Sequence, residues 1–357
     1  MPKAIGLKKI PGKPGQVYYP LETLHLPSTP PPPGSATLHL LAASLNHRDL
    51  FQRRHLYPNI LFSSPILADG CGLVTTPTSP LYGKRVIINP SRGWVSSPVA
   101  PEEPFAILGA SIQYPSGTLQ EEAVFDENEL VEAPEHLDDV RAAALPLCGT
   151  TAWRAVFTKG GVKEGMSVLI PGIGGGVAIM AAQFCVAAGA RVWVTSSSTE
   201  KIQRAVEELG VEGGVLYTGE KWQNDLAEKM KARGQKALDV VVDGAGGDVV
   251  VRLQKLLKQG AKVVSYGMTT GPKMDWPMGA VLKNIDLVGS TMGSRREFRD
   301  MVRFVAEKRI VPVVSSVVEG FGEEEVESLF EEMDKGRQFG KLVIRISNGE
   351  EVLDSKL

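Results

Sequence analysis

The run Val168-Leu169-Ile170-Pro171-Gly172-Ile173-Gly174-Gly175-Gly176-Val177-Ala178 constrains the fold of this chain more than any other segment. An apolar stretch ends in four glycines and passes straight into a small-residue stretch with helical character. Glycines permit tight turning and let the backbone come close to a pyrophosphate. A helix start adds free N–H groups and the positive end of its dipole. The strict G-x-G-x-x-G spacing fails, because Val177 stands where the third glycine belongs. The looser G-x-x-G-x-x-A spacing fits on Gly172, Gly175 and Ala178. An ordinary strand–helix turn would use the same glycines, but the context favours a phosphate loop. A strand precedes it, a helix follows, and a second strand begins about 20 residues on.

The surrounding pattern extends this local signal to a fold. Strands are expected at Ser167 to Ile170, Arg191 to Thr195, Gly214 to Tyr217, Leu238 to Asp243, Lys262 to Tyr266 and Asp286 to Gly289. Helices are expected between them, at Val177 to Ala188, Glu200 to Leu209, Trp222 to Arg233 and Val249 to Lys258. Apolar strands separated by helices indicate a parallel sheet covered on both faces, a doubly wound α/β fold. Before about residue 131 the texture is different: Pro- and Ser-rich, with short strands such as Thr37 to Ala43 and a short helix at Asn46 to Gln52. After about 294, helix, strand, helix and strand follow in a tail suited to completing the first domain. The expected division is 1–131, 132–294 and 295–357.

The end of the second strand bears on the cofactor. NAD-binding folds place an acid there for the ribose 2′-hydroxyl. This chain has Ser196-Ser197-Ser198-Thr199-Glu200-Lys201, with no acid at the tip. Hydroxyls and the Lys201 ammonium suit a 2′-phosphate, so NADPH is expected over NADH. A Ser-rich helix cap with a solvated Lys201 is the plainer reading, and the two are compatible. Gly174, Gly175, Gly176 and Val177 are the expected pyrophosphate contacts. Gly244, Gly267 and Met268, at the ends of the fourth and fifth strands, are expected to lie along the dinucleotide, although each glycine also suits a plain turn.

Composition narrows the partners. With 43% hydrophobic and 22% charged residues and a net charge of −2, the chain has no electrostatic footprint for nucleic acid or an anionic membrane. No stretch approaches the roughly 18–20 apolar residues of a membrane helix. Three distant cysteines, Cys71, Cys148 and Cys185, fit a reducing compartment and leave no CxxC zinc pair. The N-terminus lacks the apolar core of a signal peptide. The final Ser355-Lys356-Leu357 reads as a peroxisomal address, so cytoplasm and peroxisome both stand as expected locations.

Several motifs together resemble the medium-chain dehydrogenase/reductase superfamily over nearly the whole chain. They are Leu45-Asn46-His47-Arg48-Asp49-Leu50, Ala68-Asp69-Gly70-Cys71-Gly72, Leu147-Cys148-Gly149-Thr150-Thr151-Ala152-Trp153, the glycine loop, and Gly340-Lys341-Leu342-Val343. The resemblance implies a GroES-like β-rich catalytic domain made from both chain ends, an inserted Rossmann domain, and a cleft where nicotinamide meets substrate. In zinc alcohol dehydrogenases the metal is held by Cys, His and Cys. The matching positions here are Asn46, Ala68 and Leu147, none a good zinc ligand, so no metal is expected. The chain therefore looks like the zinc-independent quinone oxidoreductase and enoyl reductase branch.

Without a Lewis acid, hydride addition to an enone, enal or quinone is favoured over simple alcohol oxidation. Charge develops on a carbonyl oxygen that one hydrogen-bond donor can stabilise. The resemblance nominates Tyr57 and Asn46 as catalytic candidates. It also nominates Asn46, Thr150 and Lys341 as contacts to the cofactor. Plainer roles stand beside these: a surface aromatic for Tyr57, a helix cap for Asn46, a solvated charge for Lys341. Cys71 and Cys148 read as packing residues. The rival functions are a metal-free carbonyl or alcohol oxidoreductase and a non-catalytic dinucleotide-binding sensor. The partner is a small-molecule substrate, and pairing at the Asp286 to Gly289 edge strand makes a homodimer the expectation.

Overall fold

A computed structural model describes residues 1–271 and 273–347; the Ser355-Lys356-Leu357 motif lies outside them. The chain divides into two compact units, one formed by Met1–Cys148 with Ser294–Leu357, the other by Gly149–Gly293. Sequence texture changes near 131, yet residues up to 148 group with the first unit. The reason is packing: helix Asp139–Ala143 buries Val140, Ala142 and Ala143 and packs on strands Ser35–Ser44 and Asp69–Val74.

The first unit is built on a mixed sheet. Its strand order is Val314–Glu319, Lys341–Arg345, Ser35–Ser44, Asp69–Val74, Arg85–Ile88, Leu130–Glu132, with Glu122–Asp126 also paired to Ser35–Ser44. The pairing of Val314–Glu319 with Lys341–Arg345 is parallel, and Lys341–Arg345 then runs antiparallel to Ser35–Ser44, which stitches the C-terminal segment into the N-terminal sheet. Helix Glu323–Lys335 buries Val326, Leu329, Phe330 and Met333, the i, i+3, i+4, i+7 stripe of an amphipathic helix. That stripe joins Ile5, Leu7, Leu45, Leu50, Leu342 and Ile344 in one core.

The second unit is a six-stranded parallel sheet in the order Gly213–Leu216, Arg191–Ser196, Ser167–Ile170, Leu238–Asp243, Leu257–Ser265, Asp286–Gly289. This is the doubly wound order, in which ligands bind beyond the strand C-termini where the order reverses. Strand Ser167–Ile170 is wholly buried, as its unbroken apolar run requires. One expected helix is cut short. Val249 to Lys258 reads as helical, but the helix is only Val249–Leu253, and Leu257 already pairs with Leu238 in the sheet. Gly260, at φ 72°, lies within that strand and adopts a conformation few other residues tolerate. No helix among the described residues is long and apolar enough to cross a membrane.

Candidate active site

In the second unit, the glycine loop is docked on the neighbouring strand. The N–H groups of Gly172 and Ile173 donate to the Thr195 hydroxyl (3.1 Å) and carbonyl (2.8 Å). Gly172 (φ 69°) and Gly174 (φ 140°) hold conformations that disfavour any side chain. Helix Gly176–Ala187 then starts from Gly175 with no side chain capping its N–H groups. A Cβ built on Gly175 would meet nothing within 4 Å, so open space lies over the helix start. Gly176 and Val177 form its first turn, half-buried.

At the end of the next strand, Ser196 is buried, Ser197 exposed and Ser198 half-buried. The Ser198 hydroxyl accepts from the Lys201 backbone N–H at 3.3 Å and the Ser196 hydroxyl from the Ser198 N–H at 3.2 Å. Ser198 is therefore the cap of helix Thr199–Leu209, the plainer role foreseen for it. Among the described residues the structure gives no acceptor to the hydroxyl protons of Ser196, Ser197 and Ser198. Burial pushes the Lys201 ammonium below its ordinary pKa, and Arg204 adds to that against Glu200. A phosphate there would reverse the cost. Tyr217, exposed and hydrogen-bonded through its N–H to the Ser196 carbonyl (3.0 Å), flanks the same corner and was not foreseen from sequence.

Gly244 meets a requirement of the fold itself. A Cβ there would lie 2.6 Å from the Tyr266 ring, so a neighbouring side chain already requires glycine. Gly267 has ordinary clearance and Met268 is exposed beside it. Asp243 accepts from the N–H groups of Ala245 (3.1 Å) and Gly246 (2.8 Å), which shapes the turn. Thr150 is fully buried, and the Thr151 hydroxyl sits 3.5 Å from the Met292 sulfur.

In the first unit, residues from four distant segments converge on one buried polar cluster. Gly340 (φ 115°) comes so close to Val313 that a Cβ would lie 2.4 Å from its carbonyl. This pinch sets Lys341 at the start of its strand, only 4% exposed. Its Nζ lies 2.6 Å from Asn46 Oδ1, 2.8 Å from Asp69 Oδ2 and 3.7 Å from Cys148 Sγ. Asn46 Nδ2 donates to Asp69 Oδ2 at 2.9 Å, the Cys148 thiol to Asn46 Oδ1 at 3.4 Å, and the Leu147 N–H to Asp69 Oδ1 at 2.7 Å. Burial disfavours the Lys341 ammonium, but Asp69 and the other groups around it outweigh burial and hold its pKa above the ordinary value. Burial raises the Cys148 thiol to about 11 against the pull of Lys341. Lys341 is thus no solvated charge, and Cys148 is a buried thiol hydrogen-bonded within the cluster. The Asn46 side chain turns into this cluster, while its backbone N–H is received by Asp49 Oδ2 at 2.8 Å.

Tyr57 borders a separate pocket of about 110 Å³ in the same unit, together with Arg48, Gln52, Phe105, Ile107 and Gln113. The Arg48 guanidinium lies 4.9 Å from the centre of the Tyr57 ring and donates to the carbonyls of Leu108 (2.8 Å) and Gly109 (3.1 Å). Among the described residues the structure gives no hydrogen-bond partner to Arg48 Nε or Gln52 Oε1.

Comparison with known proteins gives this geometry a family. A protein of Leptosphaeria maculans called "zinc-type alcohol dehydrogenase-like protein YogA" is 46% identical over 361 residues, covering 97% of this chain and 100% of the relative. The chain belongs to the medium-chain dehydrogenase/reductase superfamily. A family model described as zinc-binding dehydrogenase matches residues 176–307. A solved NAD-dependent alcohol dehydrogenase superposes with a TM-score of 0.82 at 30% identity, covering 97% of this chain and 100% of that one. A crotonyl-CoA carboxylase/reductase in complex with NADP shares the fold, with a TM-score of 0.78 at 21% identity over 97% and 94% of the two chains. The GroES-like and Rossmann architecture follows from membership.

The names of several relatives of this medium-chain dehydrogenase/reductase imply zinc, so the fit of its residues to that ion matters. The matched stretch 176–307 contains none of Asn46, Asp69, Cys148 and Lys341. The three positions equivalent to metal ligands do converge, as Asp69 beside Ala68 bonds to both Asn46 and Leu147. The donors gathered beside them, Asn46 Oδ1, Asp69 Oδ2 and Cys148 Sγ, are however taken up by the Lys341 ammonium, which coordinates nothing and repels a second cation. Among the described residues, no group of three or more His, Cys, Asp or Glu is placed to hold a metal. This donor set does not fit zinc. Asp69, to which Asn46, Leu147 and Lys341 all bond, was not nominated from the sequence. Its only cue was its place in Ala68-Asp69-Gly70, whereas its partners lie 23, 78 and 272 residues away.

Proposed function

We propose that this chain is an NADPH-dependent reductase that works without zinc and passes hydride to the activated C=C of an enone or enal, or to a quinone. One observation carries the metal-free half: the Lys341 ammonium occupies the centre of the Asn46, Asp69 and Cys148 donor set. Without a strong Lewis acid, a substrate that delocalises incoming charge onto a carbonyl needs least help, and one preorganised donor suffices.

When bound, NADPH supplies the hydride; the chain's own groups bind and orient. Gly174, Gly175, Gly176 and Val177 would receive the pyrophosphate on open backbone N–H groups. Ser196, Ser197, Ser198 and Lys201 would hold the 2′-phosphate, supported by the missing acid at this strand end. Gly244, Gly267 and Met268 would line the dinucleotide, whereas fully buried Thr150 presents no surface to it. Tyr57 and Asn46 are the candidate donors to the substrate oxygen. Asn46 and Lys341 are the cofactor-side candidates from the first unit, Lys341 acting through Asn46.

A second reading, a carbonyl or alcohol oxidoreductase, is favoured by the names of the relatives. One experiment separates the two: NADPH and NADH oxidation measured with trans-2-hexenal, 9,10-phenanthrenequinone and acetophenone, alongside elemental analysis. Turnover with the first two acceptors by zinc-free protein, with NADPH preferred, is the expected result. Acetophenone reduction alone, or stoichiometric zinc, overturns the proposal.

A further inference from the structure

We propose that the Lys341 ammonium is the resident cation of this site: it stands in for a metal ion against Asp69 and locks the Asn46 side chain so that one amide N–H stays available to an external oxygen. Lys341 and Asp69 are then positioning residues that act through Asn46. The inference rests on the metal-free reading above and goes beyond it by giving the three groups distinct tasks.

The argument is a count of donors and acceptors. An ammonium has three N–H groups and no acceptor. Lys341 directs all three at protein atoms, namely Asn46 Oδ1, Asp69 Oδ2 and Cys148 Sγ. None is left for a substrate. The Asn46 amide has two N–H groups, and one goes to Asp69 Oδ2. The other has no partner among the described residues, which makes it the uncommitted donor of the cluster. Its direction is set electrostatically. Turning the amide over would face its NH2 to the ammonium and its carbonyl to the carboxylate, two repulsive contacts in a buried site where charges interact strongly. Asp69 is anchored in turn by the Leu147 N–H (2.7 Å) and the Ser44 hydroxyl (3.2 Å), and its backbone carbonyl accepts from Thr118 Oγ1 (2.7 Å). A cation is needed because Asp69 is fully buried and an unpaired carboxylate there would be costly.

The test has a kinetic arm and a metal arm. With 9,10-phenanthrenequinone and NADPH, Lys341→Met should lower kcat about 10- to 100-fold, with both KM values within about threefold. In an Asn46→Ala background the same substitution should cost less than about twofold more, because it acts through a group already removed. Additive losses, or an unchanged kcat in folded Lys341→Met, overturn the inference. Should the lone Asp69 carboxylate prevent folding, Lys341→Met/Asp69→Asn removes both charges and is compared with and without Asn46→Ala in the same way. The metal arm needs no turnover. Cobalt(II) titration followed by thiolate-to-cobalt absorption should show no uptake by the native protein and saturable uptake by Lys341→Ala, with Cys148 giving up its proton. Equal behaviour of the two proteins overturns the stand-in role. Stoichiometric zinc in the native protein would instead defeat the metal-free reading itself, whereas zinc-free protein with additive losses defeats only this inference.

Discussion

Single side chains carry the chemistry proposed for this protein, and five of them give direct tests. Lys201 lies beside three serines in a corner where burial disfavours its charge. Lys201→Ala should raise the NADPH KM by about tenfold or more, as expected for losing a charge-assisted hydrogen bond, and leave that for NADH nearly unchanged. Equal effects on both cofactors would remove the 2′-phosphate role. Tyr57 keeps its ring against Arg48, and no intramolecular partner is found for its hydroxyl among the described residues. Tyr57→Phe should therefore lower kcat while NADPH binding, followed by fluorescence titration, stays constant. The cysteines are all buried, and burial raises each thiol pKa. A thiol reagent at pH 8 should label none of them in native protein and all three after denaturation.

At the scale of elements, the glycine loop separates fold requirements from ligand requirements. Gly172 and Gly174 need positive φ, so substitution there strains the backbone whether or not anything binds. Gly175 has φ −77° and open space where a Cβ would stand. Gly175→Ala should leave the melting temperature within a few degrees of the parent yet weaken NADPH by more than about tenfold, because the added methyl meets only the bound pyrophosphate. Unchanged binding would place the phosphates elsewhere. The loop at Trp94–Glu102 illustrates the opposite case, a local anion site satisfied internally. Glu102 accepts from the N–H groups of Val95, Ser96 and Ser97 at 2.8, 2.8 and 2.6 Å. These bonds, the one from Ser96 foremost, draw its pKa down to about 2. A depressed carboxylate pKa means that the loop contact is fully present above the ordinary glutamate range and lost as pH falls through about 2. Amide exchange at Val95 to Ser97 should thus stay slow at pH 4 and quicken only near pH 2; quickening already at pH 4 would contradict it.

For the whole molecule, the two ends of the chain make one unit. Strand Lys341–Arg345 lies between Val314–Glu319 and Ser35–Ser44, so deleting residues 294–357 would bare the centre of that sheet and strip Phe330 and Leu342 from its core. The truncated chain should lose cooperative unfolding of the first unit. Among the described residues, strand Asp286–Gly289 has a neighbour on one side only, with Leu287, Val281, Leu282 and Met278 exposed in the same unit. The expected homodimer would pair there. Leu287→Lys should then yield a folded monomer by light scattering, and an unchanged mass would exclude this edge.

Elements with strong local signals were legible in the sequence: Ser167–Ile170 and Leu238–Asp243 fall where their apolar runs place them, and the helices Arg295–Lys308 and Glu323–Lys335 alternate with strands in the tail as expected. The glycine loop was legible for the same reason, since its glycines, strand and helix are contiguous. The shortened helix after Val249 was not, because Leu257 joins a strand through pairing with Leu238, a contact outside any local window. Nor was the placement of Lys341. Its sequence neighbours are compatible with a solvated charge, and only folding brings Asn46, Asp69 and Cys148 to it and buries all four. Local pattern determined the elements and the glycine loop through short-range sterics and burial periodicity. The chemistry of the buried cluster was decided by tertiary structure, because pairing a buried charge depends on which groups meet in space.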